Sequence, residues 1–351
     1  MKFLTIIVLL AGLLNVSFAW FYTSGNKLFD SNKNEFIPRG INVASADWDA
    51  QFKPSVVMKA IAETGANSVR ILWLKDEEIK AKGLNDNNLV DAIQQAINNK
   101  LIPIVHLWMD SGKIGDSNWD NREYLRQAGR WWVSKINLLK KFEDKLLINV
   151  LNEWSSWRKG RALNDQPGHN LSDFLWYAED AIIPIRNTGW RGTLVIDSLA
   201  MAQSPHPVLQ YGQQLINKDP LKNLIFSIHA YADWRDETPN NNYAPYDKSL
   251  LVSIVQKNIP IMLGEFSDRH PDSNKVEKYI NAAKLMKICQ DNRIGWIAWS
   301  WKGNGVVNGV DLSKMLDISY YHDKVSFTSW GYMLKNDPNG LRTAVKSSMF
   351  P

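Results

Sequence analysis

The sequence predicts an α/β protein folded as a single (β/α)8 barrel of the TIM type. Short apolar runs alternate with helical patterns along most of the chain, and polar or aromatic side chains follow each apolar run. A length of 351 residues could hold two domains, but it also suits one large barrel. We therefore expect one barrel domain that spans residues 20–351.

The predicted strands are continuous apolar runs, not runs of alternating polarity. This pattern is typical of parallel strands that are covered on both faces, and each run is too short for a buried helix. In chain order the predicted strands are Ile37–Val43, Ser68–Trp73, Ile102–Leu107, Leu146–Leu151, Thr193–Ile196, Leu224–Ile228, Pro260–Leu263 and Ile294–Trp299.

Helical patterns fill the intervals between these runs. The clearest cover residues 54–66, 88–100 and 121–142, where apolar residues are spaced to form one buried face. Several of them end in Gly or in a basic residue, as helices tend to do. In a barrel of this kind the chemistry gathers at the carboxyl ends of the strands, so the residues at those ends are the first candidates for a site.

Polar and aromatic residues recur at the ends of the predicted strands. Any single one has an ordinary explanation, since Asp197 could cap the next segment and Arg70 could pair with an acid on a helix. Such explanations do not account for the same feature after every apolar run. The residues are Asn42, Trp48, Arg70, His106, Trp108, Asp110, Asn152, Glu153, Trp154, Asp197, His229, Tyr231, Glu265, Trp299 and Trp301.

Two carboxylates in this set, Glu153 and Glu265, suggest glycoside hydrolysis. They follow the fourth and seventh predicted strands, so they are expected to face each other across one cleft. One carboxyl group would protonate the leaving oxygen while the other stays ionised. Arg70 is the cation that could keep one of them ionised, and Asn152 could bind the 2-hydroxyl of a sugar. The residues alone leave open which glutamate is the acid.

The first 19 residues are predicted to be a secretory signal peptide. Lys2 supplies the positive charge, residues 3–14 the apolar stretch, and residues 17–19 the small-residue cleavage site. The apolar stretch is too short to favour a membrane anchor. We therefore expect a secreted, extracellular protein that does not bind a membrane.

Composition narrows the function further. A net charge of +5 without a basic run gives no indication of nucleic-acid binding. The one cysteine, Cys289, lies on an apolar helical face and is expected to be a buried thiol. The 6 histidines show no ligand spacing, so neither a metal nor another cofactor is expected. The 16 tryptophans suit stacking on sugar rings. We expect the protein to be a monomer.

Three segments together resemble glycoside hydrolase family 5, and more narrowly its subfamily 8 of endo-β-1,4-mannanases. They read INVLNEWSSW, PIMLGEFSD and IAWSWKGNG, and further segments such as IPRGINV, TGANSVRI and LIFSIHAYADW follow in the family's order. The resemblance covers nearly the whole chain after the predicted signal peptide. It implies hydrolysis of β-1,4-linked mannans and mannooligosaccharides without a metal.

The resemblance also implies roles for the two carboxylates. It places the acid/base at Glu153 and the nucleophile at Glu265 of a retaining double displacement, with the two carboxyl groups about 5 Å apart. It implies that Arg70 and Tyr231 hydrogen-bond Glu265, and that His229 lies near Glu153.

Further residues are implied to contact the substrate. His106 would line the subsite of the reacting sugar, and Trp299 would lie under that sugar with a cis peptide bond to Ser300. The tryptophans in loops after strands are further candidates for sugar contacts. The full predicted substrate-binding set is Arg70, His106, Trp108, Asn152, Trp154, His229, Tyr231, Trp234, Trp299 and Trp301.

The sequence also departs from the family, and two other functions stay open. The family's loop after the third strand usually reads His-Asp-Ala-Thr-Gly, whereas this chain reads HLWMDSGK and includes Trp108, which puts the subsite contacts in doubt. A β-1,4-glucanase on the same barrel is the nearest alternative, because the two substrates differ only at the 2-hydroxyl. A sugar-binding barrel without activity is another, although it would not need both carboxylates with their partners.

Overall fold

The fold was analysed in a computed structural model of the chain. The structure describes residues 19–45, 53–109, 120–156, 159, 170–236, 245–272, 274–307 and 309–351. The predicted signal peptide falls almost entirely outside these residues and stays a prediction, and Trp48, Asp110 and Trp157 also lie outside them. Within the described part, no helix combines the length and the apolar character needed to cross a bilayer.

Eight parallel strands form a closed barrel, which confirms the predicted fold class. The strands follow one another in chain order around the barrel, and the last pairs with the first. All eight predicted strands are present, with ends that differ by up to three residues. They are β1 Arg39–Val43, β2 Ser68–Leu74, β3 Ile102–Trp108, β4 Leu147–Asn149, β5 Leu194–Asp197, β6 Leu224–Ala230, β7 Ile261–Phe266 and β8 Gly295–Ala298.

Helices surround the barrel and cover its outer face. The three helices predicted most clearly are present as α1, α3 and α4, each with one buried face. The α-helices of the described residues are α1 Pro54–Glu63, α2 Asp76–Ala81, α3 Asp86–Asn98, α4 Arg122–Leu139, α5 Ile183–Asn187, α6 His206–Lys218, α7 Ser249–Gln256, α8 Ala282–Asp291, α9 Ser313–Leu316 and α10 Ser329–Asn336.

The larger hydrophobic core lies between the barrel and the helices. The outward-facing side chains of the strands pack there against the buried faces of the helices, and Trp132 of α4 and Trp296 of β8 are among the fully buried residues. Cys289 of α8 is buried in the same layer, as the sequence predicts. This layer holds the strands in register and so fixes the ends of the strands relative to one another.

A second, smaller core fills the lower half of the barrel, near the amino ends of the strands. An antiparallel hairpin of Tyr22–Ser24 and Lys27–Phe29 precedes β1, and apolar residues beside it join this core. Met349 and Phe350 pack against the same core from the other end of the chain. Its buried members are Phe21, Leu28, Phe36, Ile102, Ile104, Leu147, Val195, Ile225, Met262 and Ile297.

Candidate active site

Arg70 of β2 is the centre of a polar network in the upper half of the barrel. Its guanidinium is fully buried and donates to side chains from several other strands or their ends. Nη1 donates to Oε1 of Glu265 at 2.7 Å and to Oδ1 of Asn42 at 3.0 Å. Nη2 donates to Oδ1 of Asn152 at 2.7 Å, and Nε donates to Oδ1 of Asn149 at 2.9 Å. These partners fix the planar guanidinium in one orientation across the barrel.

Glu265 near the end of β7 accepts hydrogen bonds on both carboxylate oxygens. Oε1 accepts from Arg70, and Oε2 accepts from the hydroxyl of Tyr231 at 2.7 Å. Both contacts are those that the resemblance implies. Burial raises the pKa of Glu265 to about 7, while the charge of Arg70 and the Tyr231 hydrogen bond act in the opposite direction. These two partners favour the ionised form of Glu265.

Glu153 follows β4 and has different surroundings. Nδ1 of His229 lies 2.8 Å from Oε1 of Glu153. Burial raises the pKa of Glu153 well above its ordinary value, and the negative charges of Glu265 and Asp197 raise it further. The side chain is 12% exposed, against 3% for Glu265, so it keeps contact with solvent.

The backbone at Glu153 is unusual because its φ is +50°. A side chain in this left-handed region costs about 1–3 kcal/mol, and such residues concentrate at functional sites. The backbone N–H of Glu153 donates to Oδ2 of Asp197 at 3.0 Å, which holds this conformation. The backbone therefore turns at Glu153 and does not continue in the direction of β4. This turn places the Glu153 side chain over the end of the barrel.

The two carboxylates lie close enough to act on one bond. Oxygen atoms of Glu153 and Glu265 and a ring nitrogen of His229 lie within 4.8 Å of one another. Two carboxylates at this distance do not both ionise easily, so the pair holds one proton over a range of pH. Since Arg70 and Tyr231 stabilise the anion of Glu265, the proton resides on Glu153.

The same three side chains have the spacing of metal ligands. However, Nη1 of Arg70 already lies 2.7 Å from Glu265, and a second cation beside this guanidinium would be repelled. Burial and the charge of Arg70 lower the pKa of His229 well below its ordinary value, so this imidazole is neutral. We therefore interpret the group as an acid and base pair with a neutral histidine.

His106 and Asn152 lie beside this pair with polar atoms left for a ligand. Nδ1 of His106 is 3.1 Å from Oδ1 of Asn152, and burial lowers the pKa of His106 well below its ordinary value. Among the described residues, neither Nε2 of His106 nor Nδ2 of Asn152 has a hydrogen-bond partner, although both atoms are buried. Buried polar groups normally are hydrogen-bonded, so both atoms are suited to bind sugar hydroxyls.

Trp108 and Trp299 form an aromatic wall at the same end of the barrel. Their rings are nearly parallel, with 6.3 Å between centroids and 6° between planes. The two side chains retain small exposed fractions, 8% and 5%. Nε1 of Trp299 donates to Oδ1 of Asn304 at 3.0 Å, and the peptide bond from Trp299 to Ser300 is cis, as the resemblance implies.

Comparison with known proteins places the chain in a family. Residues 29–305 match the sequence model described as Cellulase (glycosyl hydrolase family 5). The chain belongs to glycosyl hydrolase family 5. It is 31% identical over 341 residues to a mannan endo-1,4-beta-mannosidase of Salipaludibacillus agaradhaerens, covering 94% of this chain and 95% of that relative.

Other members of family 5 are similar over comparable lengths. A mannan endo-1,4-beta-mannosidase of Cellvibrio japonicus is 31% identical over 340 residues, with 95% of this chain and 70% of the relative covered. The solved structure of a beta-mannanase from Thermomonospora fusca superposes with a TM-score of 0.75 at 24% identity, covering 95% of this chain and 99% of that one. The barrel and the glycoside hydrolase class are thus established.

Three of the predicted sugar contacts are wrong for this family 5 enzyme. Trp154, Trp234 and Trp301 are fully buried in the outer core, not exposed at the cleft. Their indole nitrogens donate to backbone carbonyl oxygens, those of Asn121, Gln203 and His322 respectively. These rings pack the loops onto the barrel, so no face is left for a sugar. The remaining predicted residues lie together around Arg70 and the two carboxylates.

Two further residues of the network are not among the predicted contacts. Asn149 of β4 donates to Oδ1 of Asp197 at 3.0 Å as well as accepting from Arg70. Asn42 of β1 donates to the carbonyl oxygen of Gly264 at 2.9 Å. Each is an asparagine inside an otherwise apolar buried strand, and this pattern could have identified both residues. A buried amide side chain needs a hydrogen-bond partner, so its presence in such a strand predicts a polar network.

Gly264 is required by the packing beside Glu265. A Cβ at this position would lie 2.1 Å from Oγ of Ser227 and 3.0 Å from Nε2 of His229. Only glycine therefore allows β6 and β7 to approach closely enough for His229 and Glu265 to face the same space.

Proposed function

We propose that this chain is a secreted endo-β-1,4-mannanase that cleaves internal mannosidic bonds of mannan, glucomannan or galactomannan with retention of configuration. The observation that carries the proposal is the pair of carboxylates within 4.8 Å, one beside Arg70 and the other beside negative charges. Retaining glycosidases hold their carboxyl groups about 5–5.5 Å apart, whereas inverting enzymes need roughly 6.5–9.5 Å. The relatives' names and the predicted signal peptide support the substrate and the secretion.

In the first step the carboxylate of Glu265 attacks the anomeric carbon. The bond from that carbon to the glycosidic oxygen breaks, and Glu153 gives its proton to the leaving oxygen. Arg70 and Tyr231 orient Glu265 for attack, since each hydrogen-bonds a different carboxylate oxygen. The product of this step is a mannosyl ester on Glu265 and a released shorter chain.

In the second step water replaces Glu265 at the anomeric carbon. Glu153, now ionised, takes a proton from the water as it attacks, and Glu265 leaves as a carboxylate. Two inversions at the same carbon give net retention. His229 lies beside Glu153, with Nδ1 at 2.8 Å from Oε1, and orients this carboxyl group in both steps.

The sugar-binding contacts come from groups that the protein leaves available. Nδ2 of Asn152 is placed beside the carboxylates to donate to the 2-hydroxyl, a contact that strengthens in the transition state. The ring of Trp299 offers an apolar surface to the reacting sugar, and Trp108 extends the wall. Trp108 lies in the segment where this sequence departs from the family pattern, so it is a candidate for altered chain-length preference.

The second candidate is a β-1,4-glucanase, because the matching family model is described as Cellulase. Glucose and mannose differ at carbon 2, so the choice rests on a few hydrogen bonds around the reacting sugar. The curated relatives at 31% identity are named for mannan, which favours the mannanase.

Product analysis on mannohexaose tests the proposal. We expect shorter mannooligosaccharides from internal cleavage, with the β-anomer of the new reducing end forming first by proton NMR. Rates on glucomannan and galactomannan should exceed the rate on carboxymethylcellulose.

The Glu265→Ala variant is the control, and it should release no product while still binding mannohexaose. Initial formation of the α-anomer would contradict the double displacement. A high rate on carboxymethylcellulose with none on mannan would replace the mannanase by the glucanase.

A further inference from the structure

Asp197 is a buried carboxylate for which the two-step mechanism has no use. It ends β5 and is fully buried in the upper half of the barrel. Oδ1 accepts from Nδ2 of Asn149 at 3.0 Å, and Oδ2 accepts from the backbone N–H of Glu153 at 3.0 Å. A carboxylate is costly to bury without such donors, so its position needs an explanation.

The loop after β5 holds the loop that carries Glu153. Glu153 and Ser155 both have left-handed backbones, with φ of +50° and +78°. Asp197 accepts the N–H of the first, while Ala200 donates to Oγ of Ser155 at 2.8 Å and Met201 donates to its carbonyl oxygen at 3.2 Å. These contacts come from the loop after β5 and hold the turn that carries Glu153.

The charge of Asp197 also acts on the catalytic pair. Nη2 of Arg70 and Nε2 of His229 each lie 3.5 Å from its Oδ2. Its negative charge raises the pKa of Glu153, in the same direction as burial and the charge of Glu265, whereas Arg70 lowers it. The charge of Asp197 also raises the pKa of Glu265 and the pKa of the Tyr177 hydroxyl.

We infer that Asp197 is a positioning residue for the acid/base: its carboxylate holds the backbone of Glu153, and its charge retains the proton on that side chain. The inference rests on the proposed role of Glu153 in glycoside hydrolysis. It assigns to the end of β5 a part in the reaction that acts through Glu153.

The Asp197→Asn variant separates charge from shape. Asparagine keeps an acceptor oxygen for the N–H of Glu153 but removes the negative charge and the acceptor that faces Nδ2 of Asn149. We expect the alkaline limb of the kcat/KM profile on mannan to move to lower pH, because Glu153 loses its proton more easily. Carbon NMR of the Glu153 carboxyl group should show the same direction of change without substrate, so this result does not depend on turnover.

The Asp197→Ala variant tests the positioning. We expect kcat/KM on mannan to fall by roughly 10²-fold, the loss typical of a misplaced catalytic group. On a dinitrophenyl β-mannobioside, whose leaving group needs no proton, kcat/KM should fall much less. A general loss of structure would lower both rates to the same extent.

Two further variants keep the inference testable. Asp219→Asn removes a buried carboxylate that is paired with Arg186 at 2.9 Å, near the amino end of β6. It should lower thermal stability without moving the alkaline limb of the kcat/KM profile. It should also leave unchanged the ratio of kcat/KM on mannan to kcat/KM on the dinitrophenyl substrate. Ser155→Ala removes the acceptor for the N–H of Ala200 and should change the ratio without moving the limb.

An unmoved alkaline limb and an unmoved Glu153 titration in Asp197→Asn would overturn the electrostatic part. Equal losses on mannan and on the aryl substrate in both Asp197→Ala and Ser155→Ala would overturn the positioning part. If the wild-type enzyme hydrolyses cellulose instead of mannan, the proposed substrate fails. The Asp197 variants are then compared on cellulose and a dinitrophenyl β-cellobioside.

Discussion

The two halves of the barrel interior differ sharply although the same strands form both. The lower half is lined by apolar side chains such as Ile102, Val195 and Ile225. The upper half holds a network of buried charged and amide groups centred on Arg70. The change occurs within one or two strand positions, as from Val195 to Asp197 on the same face of β5. The comparison teaches that one end of each strand provides stability and the other provides chemistry.

The upper half is stable only as a complete set of partners. Asp197 and Glu265 are both buried beside the guanidinium of Arg70, at 3.5 Å and 2.7 Å. A buried charge that loses its partner costs far more than the pair contributes. The lower half has no such dependence, since each apolar side chain there contributes its own buried area.

The largest expected effect follows from removing the cation of the upper half. Arg70→Met leaves Glu265 and Asp197 without their guanidinium, so we expect the free energy of unfolding to fall by about 3–5 kcal/mol. We also expect kcat/KM to fall by roughly 10²–10³-fold, because the proposed nucleophile loses its orientation. Denaturant unfolding and initial rates on mannan measure the two effects.

Arg293→Met is the matched control, since this arginine pairs with Glu35 on the surface. Exposed ion pairs contribute about 0–1 kcal/mol, so its stability should change little. An Arg70→Met enzyme with normal stability would mean that the upper half does not depend on this cation.

The lower half should respond in stability alone. Ile225→Ala removes a buried side chain of β6, and we expect a loss of about 2–5 kcal/mol in the free energy of unfolding. At temperatures well below the unfolding midpoint, kcat/KM and its pH profile should match the wild type. A moved pH profile would show that the two halves are coupled.

The smallest expected effect is on the pH dependence of thermal stability, and it is measured at Glu153 without reference to activity. The folded state raises the pKa of Glu153 above its ordinary value of 4.5, so folding binds this proton more tightly. The resulting stability is complete below pH 4.5 and is lost as pH rises through the folded-state pKa. Glu153→Gln should therefore unfold at a higher temperature than the wild type at pH 8.

The expected rise is about 1–2 °C, which corresponds to roughly 1 kcal/mol for a chain of this length, and it should shrink as pH falls towards 5. Scanning calorimetry at several pH values measures it. Glu179→Gln, at an exposed surface glutamate, is the control and should show no such pH dependence. An identical midpoint for Glu153→Gln and wild type at pH 8 would contradict the prediction.

The sequence predicted the barrel because its signals are local. Each strand is a short, continuous apolar run, which is typical of a parallel strand that is buried on both faces. Alternation of such runs with helices predicts a parallel barrel. The positions of Glu153 and Glu265 followed from the strand count, since parallel strands bring their carboxyl ends to one edge. The contacts of Glu265 with Arg70 and Tyr231 needed the resemblance as well, because strand order alone does not fix side-chain directions.

The tryptophans show what the sequence could not give. Trp108 ends β3 and Trp154 follows β4, yet Trp108 borders the cleft and Trp154 is enclosed by the outer core. The difference depends on the turn at Glu153, whose left-handed backbone redirects the chain. A left-handed backbone at a residue other than glycine is uncommon, and the residue type does not reveal it. No pattern in this segment therefore predicts the turn.

The packing of Met349 and Phe350 beneath the barrel has a practical consequence. These residues hold the end of the chain against the small core at the amino ends of the strands, on the face opposite the carboxylates. A tether attached after Pro351 would therefore emerge from the base of the molecule. An enzyme immobilised through this tether would present its cleft to the solution, where a long polysaccharide could enter unhindered by the support.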